Sequence, residues 1–129
     1  NANILPDPAK TLFSYLDAAN FDVKTYSPQR CLHDLGIDLE AVKATIRIAL
    51  EMNVHVEIST LVVPGFNDDS NGLMEIAEWI ASQDKNIPWH LAACHPAWKY
   101  RGPSCSKSFI QETVKRAQGL LHHVYPGNI

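Results

Sequence analysis

Residues Val54 to Ser59 alternate strictly between apolar and polar side chains, and the run continues through Thr60 to Val63 before Pro64-Gly65 breaks it. A period of two is the mark of a β-strand with one face on a core, and the segments on either side have a different period. Before it, Leu39, Val42, Ile46 and Leu50 recur at three- and four-residue spacing behind Asp38, which predicts a capped helix ending near Asn53. After it, Asn67-Asp68-Asp69-Ser70 offers N-caps, with Asp68-Asp69 as the capping pair, to a helix carrying Ile76, Ala77 and Ile80. Trp89 to Cys94 then predicts another strand.

The same alternation extends to both ends. Asp7-Pro8 predicts a cap and first helical residue for a short helix over about 8–16. Residues 18–24 read as a strand that Pro28 ends, with Asn20, Asp22 and Lys24 on one face. Past a turn from His95 to Ser106, Ser108 to Gln111 makes a capping-box pattern for a helix with Ile110, Val114, Ala117 and Leu121, and His123-Val124-Tyr125 closes as a strand. Helix and strand in turn, at roughly 30-residue spacing, predict an α/β chain of about four parallel βα units, either a doubly wound sheet or part of a β/α barrel.

Polar residues on strand faces are informative here, because a parallel strand buried on both sides reads as a near-continuous apolar run. Asn20, Asp22 and Lys24 on one strand, and His55, Glu57 and Ser59 on the next, predict a wet or ligand-filled interior. The alternative is an edge strand with one solvated face. A formal charge of −3 leaves no basic surface for nucleic acid, and no apolar run reaches the roughly 18 residues of a membrane helix. Cys31, Cys94 and Cys105 lack the short spacings of a structural zinc site and are odd in number, which fits a reducing, cytoplasmic setting. Cys94 reads as a small buried hydrophobe and Cys105 as a loop thiol.

Several ordered strings carry a resemblance. They are Tyr15-Leu16-Asp17-Ala18-Ala19-Asn20-Phe21-Asp22-Val23-Lys24; Val54-His55-Val56-Glu57 leading to Thr60-Leu61-Val62-Val63-Pro64-Gly65-Phe66-Asn67-Asp68; Pro88-Trp89-His90 with His95-Pro96; and Val124-Tyr125-Pro126-Gly127-Asn128. Together they resemble the radical S-adenosylmethionine enzymes, in particular the radical enzyme of the AmmeMemoRadiSam system and the pyruvate formate-lyase activating enzymes. The resemblance implies that residues 1–129 are a single domain, the carboxyl-terminal part of a partial (β/α)6, TIM-like barrel. The opening Asn1-Ala2 is similar to the end of the family's Thr-Asn-Gly stretch, with Ala for Gly, and the start at Asn1 without an initiator Met reads as that of a fragment.

The resemblance also assigns roles. Asp22 and Lys24 match the family's Asp-x-Lys, which reaches the ribose or methionine part of S-adenosylmethionine, and His95 matches a His approaching the cofactor or the substrate. Asn20 and Asn1 are further cofactor-side matches. Ser59 stands where activating enzymes often place Arg, a departure that favours the AmmeMemoRadiSam branch. The family's Cys-x-x-x-Cys-x-x-Cys motif, which holds a [4Fe–4S] cluster, and its Gly-Gly-Glu segment are absent, so the cluster is expected only in a full-length protein and this chain alone is expected to be inactive. In that protein the cluster passes an electron to the cofactor and a 5′-deoxyadenosyl radical takes a hydrogen atom from substrate.

Glu57 and Ser59 fall on the substrate side, with Trp98, Tyr100 and Arg101 on a loop at the rim whose composition suits a protein or peptide substrate. The alternative for that loop is an ordinary lid packing its own aromatics. The strand before Asp22, unpaired in a half barrel, is expected to promote a homodimer or aggregation. Two rival readings remain: a non-catalytic barrel remnant that serves as a binding module, and a metal-dependent hydrolase barrel using His90, His122 and His123 with Asp22 or Asp68. No metal ligand set is assigned, since their spacing does not converge and His55 has Glu57, not His, two residues on.

Overall fold

The computed structural model describes residues 2–129. Among the described residues five helices and four strands run α1 (Pro6–Phe13), β1 (Ala18–Asp22), α2 (Pro28–Leu35), α3 (Leu39–Glu51), β2 (His55–Val62), α4 (Ser70–Gln83), β3 (Trp89–Ala93), α5 (Lys107–Ala117) and β4 (Val124–Gly127). The strands form one sheet in the order β1-β2-β3-β4, with every neighbouring pair parallel. A doubly wound sheet reverses its strand order at a switch point, whereas each strand of a β/α barrel is added beside the last. Strand order equal to chain order therefore makes this an α/β partial-barrel fragment.

One face of the sheet is apolar and covered. Phe21, Val56, Ile58, Val62, Leu91 and Val124 are buried with Ile46 of α3, Ile76 and Ile80 of α4 and Ile110 of α5. On the strands, Trp89 and Thr60 bring polar groups into that layer, and the two are bonded to each other. Trp89, fully buried, donates from Nε1 to Thr60 Oγ1 at 3.0 Å, and Thr60 donates onward to the Val23 carbonyl at 2.6 Å. The chain of bonds ties β3 to β2 and β2 to the end of β1, so the indole is placed without an orphaned donor.

The opposite face carries the expected polar residues. In β2 the burial pattern alternates along the whole strand, with Val56, Ile58, Thr60 and Val62 inward and His55, Glu57, Ser59 and Leu61 toward the open side. β1 has no strand on its other side among the described residues, and Leu5 before α1, Leu12 on it, and Tyr15 and Leu16 between α1 and β1 lie exposed.

The elements depart from the sequence expectations in four places. α1 begins at Pro6, with Leu5 as an N-cap that makes no side-chain bond, so Asp7 lies in the first turn and is not the cap; neither proline there has an N–H to lose. The segment after Pro28 is a helix, not an end to regular structure: Ser27 accepts from Arg30 N, Pro28 occupies the first position, and Gly36 in the left-handed region at φ 66° closes it. β1 ends at Asp22, which leaves Lys24 on the segment beyond it. α5 is capped by Ser106, whose Oγ accepts from Phe109 N, and Ser108 bonds the Ser106 hydroxyl instead of forming a capping box.

Candidate functional site

The register of the sheet aligns side chains across its open face. Asp22 lies opposite Ser59, Ser59 opposite His90 and His90 opposite Tyr125, a continuous row over all four strands. One step toward the strands' carboxyl ends the partners are Leu61, Ala92 and Gly127. Ala92 and Gly127 are small, so over β3 and β4 that layer leaves room beside the row at the end of the sheet where barrel active sites form. A Cβ on Gly127 would stand 3.3 Å from Ala92 Cβ, so even this floor is tightly packed.

Asp22 and Lys24 form a direct ion pair through Asp22 Oδ2 and Lys24 Nζ. The other carboxylate oxygen, Oδ1, is buried and has no hydrogen-bond partner. The Asp22 side chain as a whole is 42% exposed, so a ligand hydroxyl or ammonium that reaches the carboxylate would supply the missing donor. Lys24 lies outside β1, and its backbone is fixed by Asn67, which the sequence offered as a helix cap and not as part of the site. The Asn67 amide donates to the Lys24 carbonyl at 2.6 Å and to the Leu61 carbonyl at 2.9 Å, while its Oδ1 accepts from Val63 N at 2.7 Å. Asp68 accepts from Gly65 N, where φ is 79°, and Asp69 caps α4, so of the expected capping pair only Asp69 caps the helix.

Ser59 donates to Asn20 Oδ1 at 2.9 Å, a neutral link between β1 and β2. Below them Glu57 is held by two imidazoles: His55 Nε2 lies 3.3 Å from Oε1 and His90 Nε2 lies 2.8 Å from Oε2. An ionised carboxylate only accepts, so both rings carry their proton on Nε2 and, when neutral, present Nδ1 as an acceptor. His90 also stacks on Tyr125, centroids 5.5 Å apart at 29°. His90, which the sequence reading named only for a hydrolase, and Tyr125, which it gave no role, thus join the site. The alternation of Trp89-His90-Leu91 already places His90 on the face opposite the buried tryptophan.

Hydrogen bonds from His55 and then His90 hold the Glu57 carboxyl below the usual range, and burial opposes them. The folded-state pKa lies below the unfolded one, so between the two values the unfolded chain binds a proton that the folded chain refuses. Stability supplied by this group is complete above the ordinary glutamate pKa of about 4.3 and falls as pH drops through the lowered one. Glu57→Gln is expected to flatten the acid limb of a melting-temperature profile taken between roughly pH 3 and 6. An unchanged slope would refute the assignment.

His95 follows β3 directly and donates from Nε2 to the Asn128 carbonyl at 2.6 Å, which brings it to the carboxyl end of β4. Asn128 has φ 56° and its amide reaches the Ala93 carbonyl at 3.5 Å, a positioning role that the sequence did not signal. On the rim loop Trp98 is 80% exposed, with Lys99 Nζ 4.4 Å from its ring centroid. Tyr100 donates to the Pro103 carbonyl at 2.9 Å, and Arg101 is exposed. Asn1 lies outside the described residues. Of the histidines proposed for a hydrolase, His90 faces Glu57, His122 bonds Asn86 and His123 stacks on Tyr125. Among the described residues no three His, Cys, Asp or Glu side chains group so as to hold a metal ion. Cys31, Cys94 and Cys105 are buried free thiols, and burial raises the pKa of Cys31 and Cys105.

Comparison with known proteins adds a fold and a distant relative. A crystal structure of a domain of pyruvate-formate lyase-activating enzyme from Bacteroides vulgatus superposes with a TM-score of 0.79 at 18% identity, covering 95% of this chain and 74% of that one. The likeness is one of fold. Uncharacterized protein MJ0808 of Methanocaldococcus jannaschii is 28% identical over 138 aligned positions, which take in 100% of this chain and 39% of that protein. The chain thus spans about two fifths of the curated relative it matches. No family model matches the sequence. No described helix is long and apolar enough to cross a membrane.

Proposed function

We propose that this chain is the carboxyl-terminal half of a radical S-adenosylmethionine enzyme of the activating-enzyme type, nearest the AmmeMemoRadiSam branch, and that its open sheet face supplies half of the cofactor site. The observation that carries the reading is Asp22: an Asp-x-Lys at a strand end, ion-paired through one oxygen and enclosed without a donor at the other. That donor set suits a ligand bearing both hydroxyls and a zwitterionic head. The fold shared with the activating-enzyme domain supports it.

In this reading Asp22 takes the ribose hydroxyls or the amine, Lys24 holds that carboxylate in place, and His95, fixed through Asn128, faces the same end of the sheet. Bound S-adenosylmethionine, together with a [4Fe–4S] cluster, supplies one-electron chemistry for hydrogen-atom abstraction. The cluster needs thiolates close together, and no group of three such ligands stands among the described residues. We therefore assign it to a part of a full-length protein beyond these 129 residues. Glu57, Ser59, His90 and Tyr125 line the substrate side, and the exposed Trp98 loop forms the rim against which a protein or peptide substrate docks.

Calorimetric titration of S-adenosylmethionine into this chain, beside Asp22→Ala, tests the proposal. Binding by the wild type that weakens at least tenfold in the variant supports it. Equal binding by both would move the cofactor elsewhere.

A further inference from the structure

On the same open face, away from the Asp22 end, a cleft of about 200 Å³ lies between β1 and β2, lined by Ala18, Ala19, Asn20, His55 and Glu57. Its walls are the Ala18 methyl, strand backbone and the Asn20, His55 and Glu57 side chains, and its one formal charge is the Glu57 carboxylate. Among the described residues Glu57 pairs with no Lys or Arg; its ion-pair partners are His55 and His90. Each imidazole uses one lone-pair site, one on each oxygen. A carboxylate offers about four such sites, so each oxygen keeps one for another donor.

We propose that this cleft binds a basic nitrogen group of the substrate, a guanidinium, amidinium or ammonium, against Glu57. A planar fork donating to both oxygens matches the two remaining sites, and the Ala18 methyl gives its apolar stem a wall. The His55 and His90 clamp holds the carboxylate in place before the ligand arrives, which lowers the ordering cost of binding. The neighbouring charged pair, Asp22 with Lys24, stands at the other end of the face and is assigned above to the cofactor. The inference deepens the substrate side of the function proposed above and rests on that reading for its name as a substrate site, while the cleft itself does not depend on S-adenosylmethionine.

The test uses methylguanidinium as the probe and N-methylurea as its uncharged shape mimic, with the imidazole resonances of His55 and His90 followed by NMR in the 129-residue chain. Saturable shifts are expected with methylguanidinium and not with N-methylurea. Glu57→Gln should weaken the response at least tenfold, and Ala18→Val, which fills the cleft without touching its charge, at least threefold. Glu78→Gln removes the same charge from the exposed side of α4 and should leave the response as it is. Equal shifts from both probes, or an undiminished response in a folded Glu57→Gln or Ala18→Val protein, would overturn the proposal. Loss of S-adenosylmethionine binding in Asp22→Ala with this response intact separates the two readings.

Discussion

Trp89→Ala is expected to lower the stability of the chain by about 4 kcal/mol, the middle of the range for emptying a large aromatic site. Trp89 is fully buried at the centre of the covered face, where β2, β3 and β4 meet. Its loss opens a cavity that neighbouring side chains on rigid strands fill only in part. It also leaves Thr60 Oγ1 without its donor. Trp89→Phe separates the two effects, because it keeps most of the volume and removes only the N–H; about 1–2 kcal/mol is expected from the hydrogen bond and residual void. Urea unfolding measures both. Equal losses in the two variants would show that volume is not what Trp89 contributes.

Asn67→Ala should cost about 3 kcal/mol, since it strands the Val63 N–H and the Lys24 and Leu61 carbonyls in a place only 7% exposed. The consequence for function is larger than the stability figure. Asn67 joins the end of β1 to the end of β2, and through the Lys24 backbone it sets where the Asp22-Lys24 pair stands. In the folded variant the amides of residues 22–26 and 61–65 are expected to lose hydrogen-exchange protection while α3 and α4 keep theirs. Asn67→Asp, which keeps the acceptor but not the donors, should restore the Val63 bond and not the carbonyl ones. Uniform loss of protection across the chain would contradict this local role.

Much of this was legible in sequence because the barrel's demands on it are periodic. The strict alternation of Val54–Ser59 placed β2 and sorted His55, Glu57 and Ser59 onto the open face, and the spacing of Val42, Ile46 and Leu50 placed α3. Parallel order along the chain, which distinguishes a barrel from a doubly wound sheet, is a matter of handedness and closure that no local period encodes. α2 was hidden for a different reason. It buries Cys31 alone, so there was no apolar stripe to see, although Ser27-Pro28 and Gly36 were its start and stop signals. The site shows the same division: Asp22 and Lys24 were readable from their place at a strand end, but the Glu57 to His90 bond spans 33 residues of sequence. The Asn67 staple was unreadable too, since a buried asparagine and a solvated loop asparagine look alike until the two strand ends are brought beside it.

The central proposal is that this partial barrel presents a preformed part of a site for S-adenosylmethionine at the carboxyl ends of its strands. Residue-resolved NMR titration of the cofactor into the 129-residue chain tests it most directly. The account predicts saturable shifts at Asp22, Lys24, Ser59 and His95 that vanish in Asp22→Ala, with α3 and α4 silent. Shifts confined to the helices, or none at millimolar cofactor, would contradict it.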